Sequence, residues 1–353
     1  PVLRKPIEGD LLELYQERVD LSGKKIANRK FIKDVLLLFR PGIIRPSEGT
    51  YRLNSYGMLK NYLKVAFRSL LKQKVYSVIN IGGLSIGLIC FLLISIYVRS
   101  EKSFDSFLPN SDRIYRVYNK QETNFLGNNL SAVTPAGLSG ALIREFPEIE
   151  YATTFDSGEK LLTVDHINYH QEANIEADQN FFNVFPYTFI NGQKESAFEN
   201  PGTVVITNEL ANKLFRNQPA MGKKIFYREK PFLVTGVIED LPENSSFQFS
   251  LVMNISSNRG YLNALKKVKW TSNSYQTYFS LREKADPAQL KEKINLLVDK
   301  YWNDPVLYPQ NYLLESLSEI HLNNNINFDW GIQKGNKWQI IIHSIIGFII
   351  LAL

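Results

Sequence analysis

From Val75 to Val98 the chain reads VYSVINIGGLSIGLICFLLISIYV, with Asn80 as its only strongly polar residue. A helix needs about 20 such residues to cross a hydrocarbon core about 30 Å thick. The h-region of a secretory signal is shorter, about 7–15 residues, and lies near the start of its chain. Here 74 residues precede the run. A fully buried core helix could be equally apolar, but the surrounding charge favours a membrane span. Residues 1–75 carry 16 Lys+Arg against 7 Asp+Glu, a net of +9, and the rest of the chain carries a net of −3. Lys60, Lys64, Arg68, Lys72 and Lys74 crowd the near side of the run, whereas Arg99 and Lys102 beyond it are balanced by Glu101 and Asp105. The positive-inside rule then puts the N-terminal segment in the cytoplasm and residues 99–337 outside. A second run, WQIIIHSIIGFIILAL from Trp338 to Leu353, is still apolar where the sequence stops, and its 16 residues fall just short of a span. We read it as the start of a second span and the chain as part of a longer one, a reading to which Pro1 in place of Met adds at the other end.

The mean hydropathy of −0.19 is therefore a polar outer region diluting two apolar segments. With 44% hydrophobic and 12% aromatic residues, the chain has ample material for a core and is no disordered or collagen-like sequence. Its 353 residues suggest about two domains. The single cysteine, Cys90, excludes an intrachain disulfide framework and any cysteine-cluster metal site.

Residues 1–50 read as a basic helical unit. IEGDLLELYQERV repeats Leu11, Leu12, Tyr15 and Val19 at helical spacing, and FIKDVLLLFR forms a second helix stopped by Pro41-Gly42. IIRPSEGTYRLNSYG has linker composition. From Leu59 the residues Tyr62, Leu63, Ala66, Phe67, Leu70 and Leu71 keep an i, i+3, i+4 rhythm with cations between them, which predicts an amphipathic helix in the membrane interface over the end of 51–74. In the outer region, residues 113–120, 203–207, 223–227 and 232–239 read as strands, rich in β-branched and aromatic residues. Residues 141–146, 208–216, 261–268 and 288–302 read as helices, with Thr207 or Asn208 as an N-cap and Asp286-Pro287 as a helix start. Strands interrupted by helices predict a mixed α+β domain.

Catalytic machinery is sparse. Gly222-Lys223 is followed by Lys224 and lacks the first glycine of a phosphate loop, and H-E-x-x-H is absent. Gly82, Gly83 and Gly87 lie inside the apolar run and cannot cradle a phosphate in water. His166 and His170 stand four apart, as two metal ligands on a helix would, but TVDHINYHQE reads as strand and turn, so no metal site is expected there. The basic N-terminus lacks any nucleic-acid recognition motif and adjoins a span, so anionic lipid or the cytoplasm, not nucleic acid, explains its charge. One motif with a mechanism remains: Gly83 and Gly87 form G-x-x-x-G, with Ser85 between them and Ser95 further along, small residues that allow two membrane helices to approach.

LKNYLKVAFRSLLKQKVYSVINIGGLSIGLICFLLISIYV, followed by EKSFDSF and DRIYRVY, resembles the start of a MacB/FtsX-type ABC transporter permease. TPAGLSGALIREFPEIE (134–150), DQNFFNVFPYTFINGQ (178–193), PGTVVITNELANKLF (201–215), MGKKIFY (221–227), FLVTGVIEDLPENSSFQF (232–249) and SEIHLN (318–323) are similar to successive blocks of the MacB-like periplasmic core domain. GNKWQIIIHSIIGFIILAL (335–353) resembles the opening of the FtsX-like membrane domain, and residues 7–45 resemble a cytoplasmic permease prefix domain. The resemblance implies an α+β membrane protein of five parts: a helical prefix (1–50), a linker with interfacial helix (51–74), a transmembrane helix (75–98), an extracytoplasmic domain (99–337) and the start of a second transmembrane helix (338–353). It further implies a non-catalytic, multi-pass permease subunit of the bacterial inner membrane, with its N-terminus cytoplasmic and its large domain periplasmic. Such a subunit is a homodimer or pseudo-dimer, works with an ABC ATPase that holds ATP and Mg²⁺, contacts membrane lipid and leaves room for a periplasmic adaptor; this chain binds no cofactor itself. Family members of the mechanotransmission kind convert ATP-driven closure in the cytoplasm into movement of the outer domain. Two other readings are a two-span receptor whose outer domain binds a ligand, and a membrane-anchored hydrolase, which the sparse motif search disfavours.

Overall fold

The computed structural model describes residues 4–38, 55–120, 129–164, 166–216, 218–306 and 309–352. The stop at Pro41-Gly42 and most of the linker fall outside the described residues. The chain forms two units, Pro1–Ser85 and Ile86–Leu353.

In the first unit, α1 (Arg4–Ser22) and α2 (Lys24–Leu38) form a hairpin that turns at Gly23, whose φ of 79° is the left-handed value a helix C-terminus takes most easily at glycine. Tyr15 donates its hydroxyl to Asn28 Oδ1 at 2.6 Å and meets the Phe31 ring edge-on at 5.3 Å, and Ala27 is fully buried. α3 (Ser55–Lys72) is followed, after an interruption at Gln73, by α4 (Lys74–Lys102). The Ser77 hydroxyl spans the interruption and donates to the Leu70 carbonyl at 2.9 Å. α4 has 29 residues, so it is about 44 Å long. Its most apolar 18-residue window has a mean hydropathy of 2.4 and no buried residue, which makes it long and apolar enough to cross a membrane.

The second unit carries one mixed sheet. In chain order its elements are β1 (Ile114–Lys120), β2 (Leu130–Ser131), α5 (Leu138–Glu145), β3 (Ile149–Val164), β4 (Ile167–Ala177), α6 (Phe181–Val184), β5 (Phe189–Gly192), β6 (Thr203–Thr207) and α7 (Asn208–Phe215). There follow β7 (Lys224–Tyr227), β8 (Lys230–Ile238), β9 (Leu251–Asn254), α8 (Arg259–Leu265), β10 (Gln276–Leu281), α9 (Pro287–Tyr301), β11 (Tyr312–Ser316), α10 (Leu317–Ile320) and α11 (Lys337–Ala352). Among the described residues the strand order is β11-β1-β10-β3-β4-β9-β6-β8-β5, with β2 added to β1 and β7 bridging β3 and β8. The β4–β9 and β6–β8 pairs are parallel and the other neighbours antiparallel.

Strand alternation sorts the side chains into two layers. Ile114, Phe155, Val205, Val252 and Tyr278 face an aromatic cluster on one side, where Phe155 meets the rings of Phe181, Phe247 and Tyr278 at 5.7, 5.6 and 5.2 Å. On the other side, α5 and α9 cover Val117, Ala152 and Phe279. α7 covers Val204, Ile206, Leu251 and Met253. The expected caps are present: Thr207 Oγ1 accepts from Leu210 N at 3.3 Å, and Asp286 accepts from Ala288 N at 2.9 Å ahead of Pro287. The four expected strands and four expected helices form within a few residues of their anticipated bounds, and the mixed α+β class holds.

One half-buried carboxylate pins the layers together. Asp178, just past β4, accepts from Thr154 N (2.8 Å) and Thr153 Oγ1 (2.8 Å) on β3, from Asn180 N (3.0 Å) before α6, and from Ser139 Oγ (3.4 Å) on α5. Burial outweighs these hydrogen bonds and pushes its carboxyl up to about 6. A folded-state value above the unfolded one makes this group's contribution full below the unfolded value and lost as pH rises through about 6. The stability of the wild type relative to Asp178→Asn should therefore rise by up to about 3 kcal/mol as pH falls from 7 toward 4. Urea unfolding of both proteins across that range checks this, and a flat difference would show an ordinary carboxylate.

Candidate functional site

The second unit brings the end of α4 and the start of α11 to one place. The two helices run antiparallel, with Gly87 meeting Ile350, Gly347 meeting Ile94 and Phe91, and the Tyr97 and His343 rings 5.2 Å apart. Beyond α4 the chain is fastened within a few residues. Asn244 Nδ2 donates to the Ser103 carbonyl at 2.9 Å, Asp105 N donates to the Asn244 carbonyl at 2.9 Å, and Ser246 N donates to Asp105 Oδ1 at 2.8 Å. Asp105 adopts a left-handed φ of 58°, which Asp tolerates better than most residues, and its carboxyl is fully buried. That burial pushes its pKa up, against the hydrogen bonds from Ser246.

His321, just after α10, is the hub. Its Nε2 lies 3.1 Å from Glu101 Oε2 on the last turn of α4, its Nδ1 lies 2.8 Å from the Gln333 carbonyl, and its ring stacks on Phe104 at 3.3 Å. It is only 2% exposed. Gly335 N donates to the His321 carbonyl at 2.9 Å and Gln333 N donates to the Ser246 carbonyl at 2.8 Å. A Cβ on Gly335 would run into both the Glu101 carboxylate and the His321 ring, so this close approach requires glycine. Two residues later α11 begins, with Asn336 Oδ1 accepting from Trp338 N at 2.9 Å.

A buried ion cluster ties the same return segment to the sheet. Arg116 of β1, 1% exposed, pairs through Nε with Glu315 Oε2 of β11 and through Nη1 with Asp329 Oδ1, both at 2.6 Å. Asp329 Oδ2 also meets Lys334 Nζ at 2.5 Å, and Lys334 donates to the carbonyls of Ile320 and Asn323 at 2.8 Å. Desolvation works against the charge on Arg116, but Tyr278 together with the Asp329 and Glu315 carboxylates outweighs it and raises the guanidinium pKa, whereas burial lowers the Lys334 pKa. Such clusters cost desolvation energy, and removing one partner leaves an uncompensated buried charge. The arrangement is suited to holding segments in register and has no nucleophile–base geometry.

The residues singled out from sequence are dispersed. Gly87 packs on α11 within the same chain, while Gly83 has open space around its Cα. Ser85 donates its hydroxyl to the Ile81 carbonyl at 2.7 Å and Ser95 to that of Phe91 at 2.8 Å. Gly83-Leu84-Ser85-Ile86-Gly87 also has the spelling of a nucleophile elbow, but its serine lies mid-helix, without the strand-to-helix turn that exposes such a nucleophile. Lys60, Lys64, Arg68 and Lys72 recur every fourth residue along α3, beside the exposed Leu59, Leu63 and Phe67, and Lys74 opens α4. His166 sits in the β3–β4 turn at a φ of 62°, while His170 on β4 lies 3.7 Å from Glu159. No group of three or more candidate metal ligands occurs among the described residues. Sequence reasoning missed His321, Gly335 and Arg116. Arg116 carried a signal, as a cation amid the apolar alternation of IYRVY.

Gly335→Ala should push Glu101 and His321 apart at a cost of about 1–3 kcal/mol. Hydrogen exchange at Asp105, Ser246 and Gly335 should then quicken while β6 and β9 stay protected. Unchanged exchange at those three amides would show that the junction does not depend on the close approach.

The sequence model of the MacB-like periplasmic core domain matches residues 77–297. Among solved structures, the chain is similar to a domain described as that of a permease from Porphyromonas gingivalis (24% identity, covering 63% of this chain and 96% of that one, TM-score 0.51). It is also similar to the periplasmic region of MacB from Actinobacillus actinomycetemcomitans (13% identity, 60% and 91%, TM-score 0.45). A third is the extracellular domain of the noncanonic ABC-type transporter YknZ from Gram-positive bacteria (10% identity, 57% and 99%, TM-score 0.43). No curated protein matches the chain. The outer sheet and the helix leading into it thus belong to a membrane protein with an extracytoplasmic domain, and the chain is a member of the MacB-like periplasmic core domain family of ABC-type permeases.

Proposed function

We propose that the chain is a permease subunit of the MacB/FtsX type, seated in the bacterial inner membrane, that passes cytoplasmic ATP-driven motion to its outer domain. In this reading residues 1–50 are a cytoplasmic prefix and α3 lies in the inner interface, its exposed apolar stripe in lipid and Lys60, Lys64, Arg68 and Lys72 at the headgroups. Residues 99–337 lie in the periplasm, and α11 begins the second of several spans. A separate ABC ATPase binds ATP and Mg²⁺ and hydrolyses the nucleotide, and the permease works as a homodimer or pseudo-dimer, with a periplasmic adaptor in some assemblies.

The observation that carries this reading is the fastening of α4 and α11 to one buried junction. A signal crosses a bilayer only through elements that move as units, and rigid helices are such elements. The first tie beyond α4, at Ser103, follows the helix by one residue, and Gly335 is tied two residues before α11. A displacement of either helix is thereby delivered to the sheet and not absorbed in a loop. Arg116 and Lys334 extend the same connection to β1 and β11.

A short flexible Gly/Ser insert at Ser103 should leave ATP hydrolysis by the assembled complex running while transport falls to background. Transport at the wild-type rate in the insert variant would refute mechanical coupling through this junction.

A further inference from the structure

A groove of about 650 Å³ runs beside the α4–α11 crossing at the end nearest the outer domain. Its floor is Phe91, Ile94 and Val98 of α4 with Gly347 of α11, and its rim is Arg99 and Lys102. The serines along it offer no free proton. Ser95, Ser103, Ser106 and Ser344 donate their hydroxyls at 2.7–2.8 Å to the carbonyls of Phe91, Ser100, Ser103 and Ile340. The walls are therefore apolar in effect, and polar recognition falls to the two cations.

Neither cation is spoken for. Arg99 and Lys102 are exposed and, among the described residues, neither forms a salt bridge. The carboxylate in the same helical turn, Glu101, points to His321 instead. The level is that of a membrane boundary: the Tyr97 and His343 rings meet there at a tilt of 55°, and Trp338, 72% exposed, stands at the start of α11. An apolar slot ending in two unpaired cations at that depth is complementary to a molecule with an acyl chain below and a negative group above.

We propose that this groove is a binding site for one anionic phospholipid of the leaflet facing the outer domain, with an acyl chain against Phe91, Ile94 and Gly347 and its phosphate between Arg99 and Lys102. The small residues on α11 make room for the chain: Gly347 adds no bulk, and Ser344 is short enough to leave the slot open. A lipid seated here touches both membrane helices at the turn where α4 joins the outer domain.

The test is native mass spectrometry of the full chain released from bilayers of phosphatidylglycerol and phosphatidylcholine. The wild type should retain one phosphatidylglycerol, and Arg99→Gln/Lys102→Gln should weaken that retention by roughly thirtyfold. Ser344→Phe, which fills the slot and leaves both cations, should also lose it, whereas Lys224→Gln/Lys230→Gln, exposed on β7 and β8 of the outer sheet, should not. Equal retention by the wild type and the Arg99/Lys102 variant would overturn the proposal. So would full retention by Ser344→Phe, which would mean headgroup pairing without a seat, or displacement of the lipid by inorganic phosphate, which would mean a site for the free anion.

Discussion

The imidazole of His321 can sit against the last turn of α4 only because residue 335 has no side chain. That one close approach sets the geometry of everything membrane-proximal in the second unit. Glu101, Phe104 and the Gln333 carbonyl contact the ring on separate sides, so α4, the turn after it and the strand of chain leading to α11 share a single buried hub. Nearby, the 244–246 loop is bonded to both flanking segments, through Asp105 on one side and Gln333 on the other. Each tie is an ordinary hydrogen bond worth about 1 kcal/mol, but several acting on the same few residues leave no free hinge between helix and sheet.

The sheet behind that hub is tightly packed. β10 is buried along its whole length, with Tyr278 facing the aromatic cluster and Phe279 facing α5 and α9. Its neighbours β1 and β3 therefore move with it. The buried Arg116 cluster then links β1 and β11 to Asp329 and Lys334 of the return segment through charges that cannot be separated without leaving one unpaired in a low-dielectric interior. Apolar packing alone would tolerate a one-residue slip of the return segment, but a guanidinium shared between Glu315 and Asp329 would not. The cluster is best understood as a register device more than as a source of stability.

Much of this was legible in the sequence where local pattern decides the outcome. The 3.6-residue rhythm of α3, the long apolar run of α4 and the capped starts of α7 and α9 all appear as expected, because propensity, patterning and burial agree there. The long β3–β4 hairpin was harder. Gly158, Asp156 and Glu159 interrupt its hydrophobic run, and only TVDHINYHQE reads locally as strand and turn. β10, with the sequence QTYFSL, carries little local signal because Gln276, Thr277 and Ser280 look exposed yet are buried mid-sheet, where core layers cover both faces. The junction itself was out of reach: Glu101 and His321 are 220 residues apart, and nothing local marks a glycine whose missing Cβ makes their contact possible. The G-x-x-x-G pair shows the same limit from the other side, since Gly87 has a partner in α11 and Gly83 stands open.

The central claim is that α4 and the outer sheet move as one body. Pulsed electron resonance tests it most directly, with spin labels at Ser100 on α4 and Lys213 on α7 in a chain whose single native thiol, Cys90, is replaced by Ala. With the ATPase partner assembled, the account predicts one narrow distance distribution that is the same in the nucleotide-free and ATP-trapped states. A shift or broadening of that distance on ATP binding would place a hinge at the junction and contradict the account.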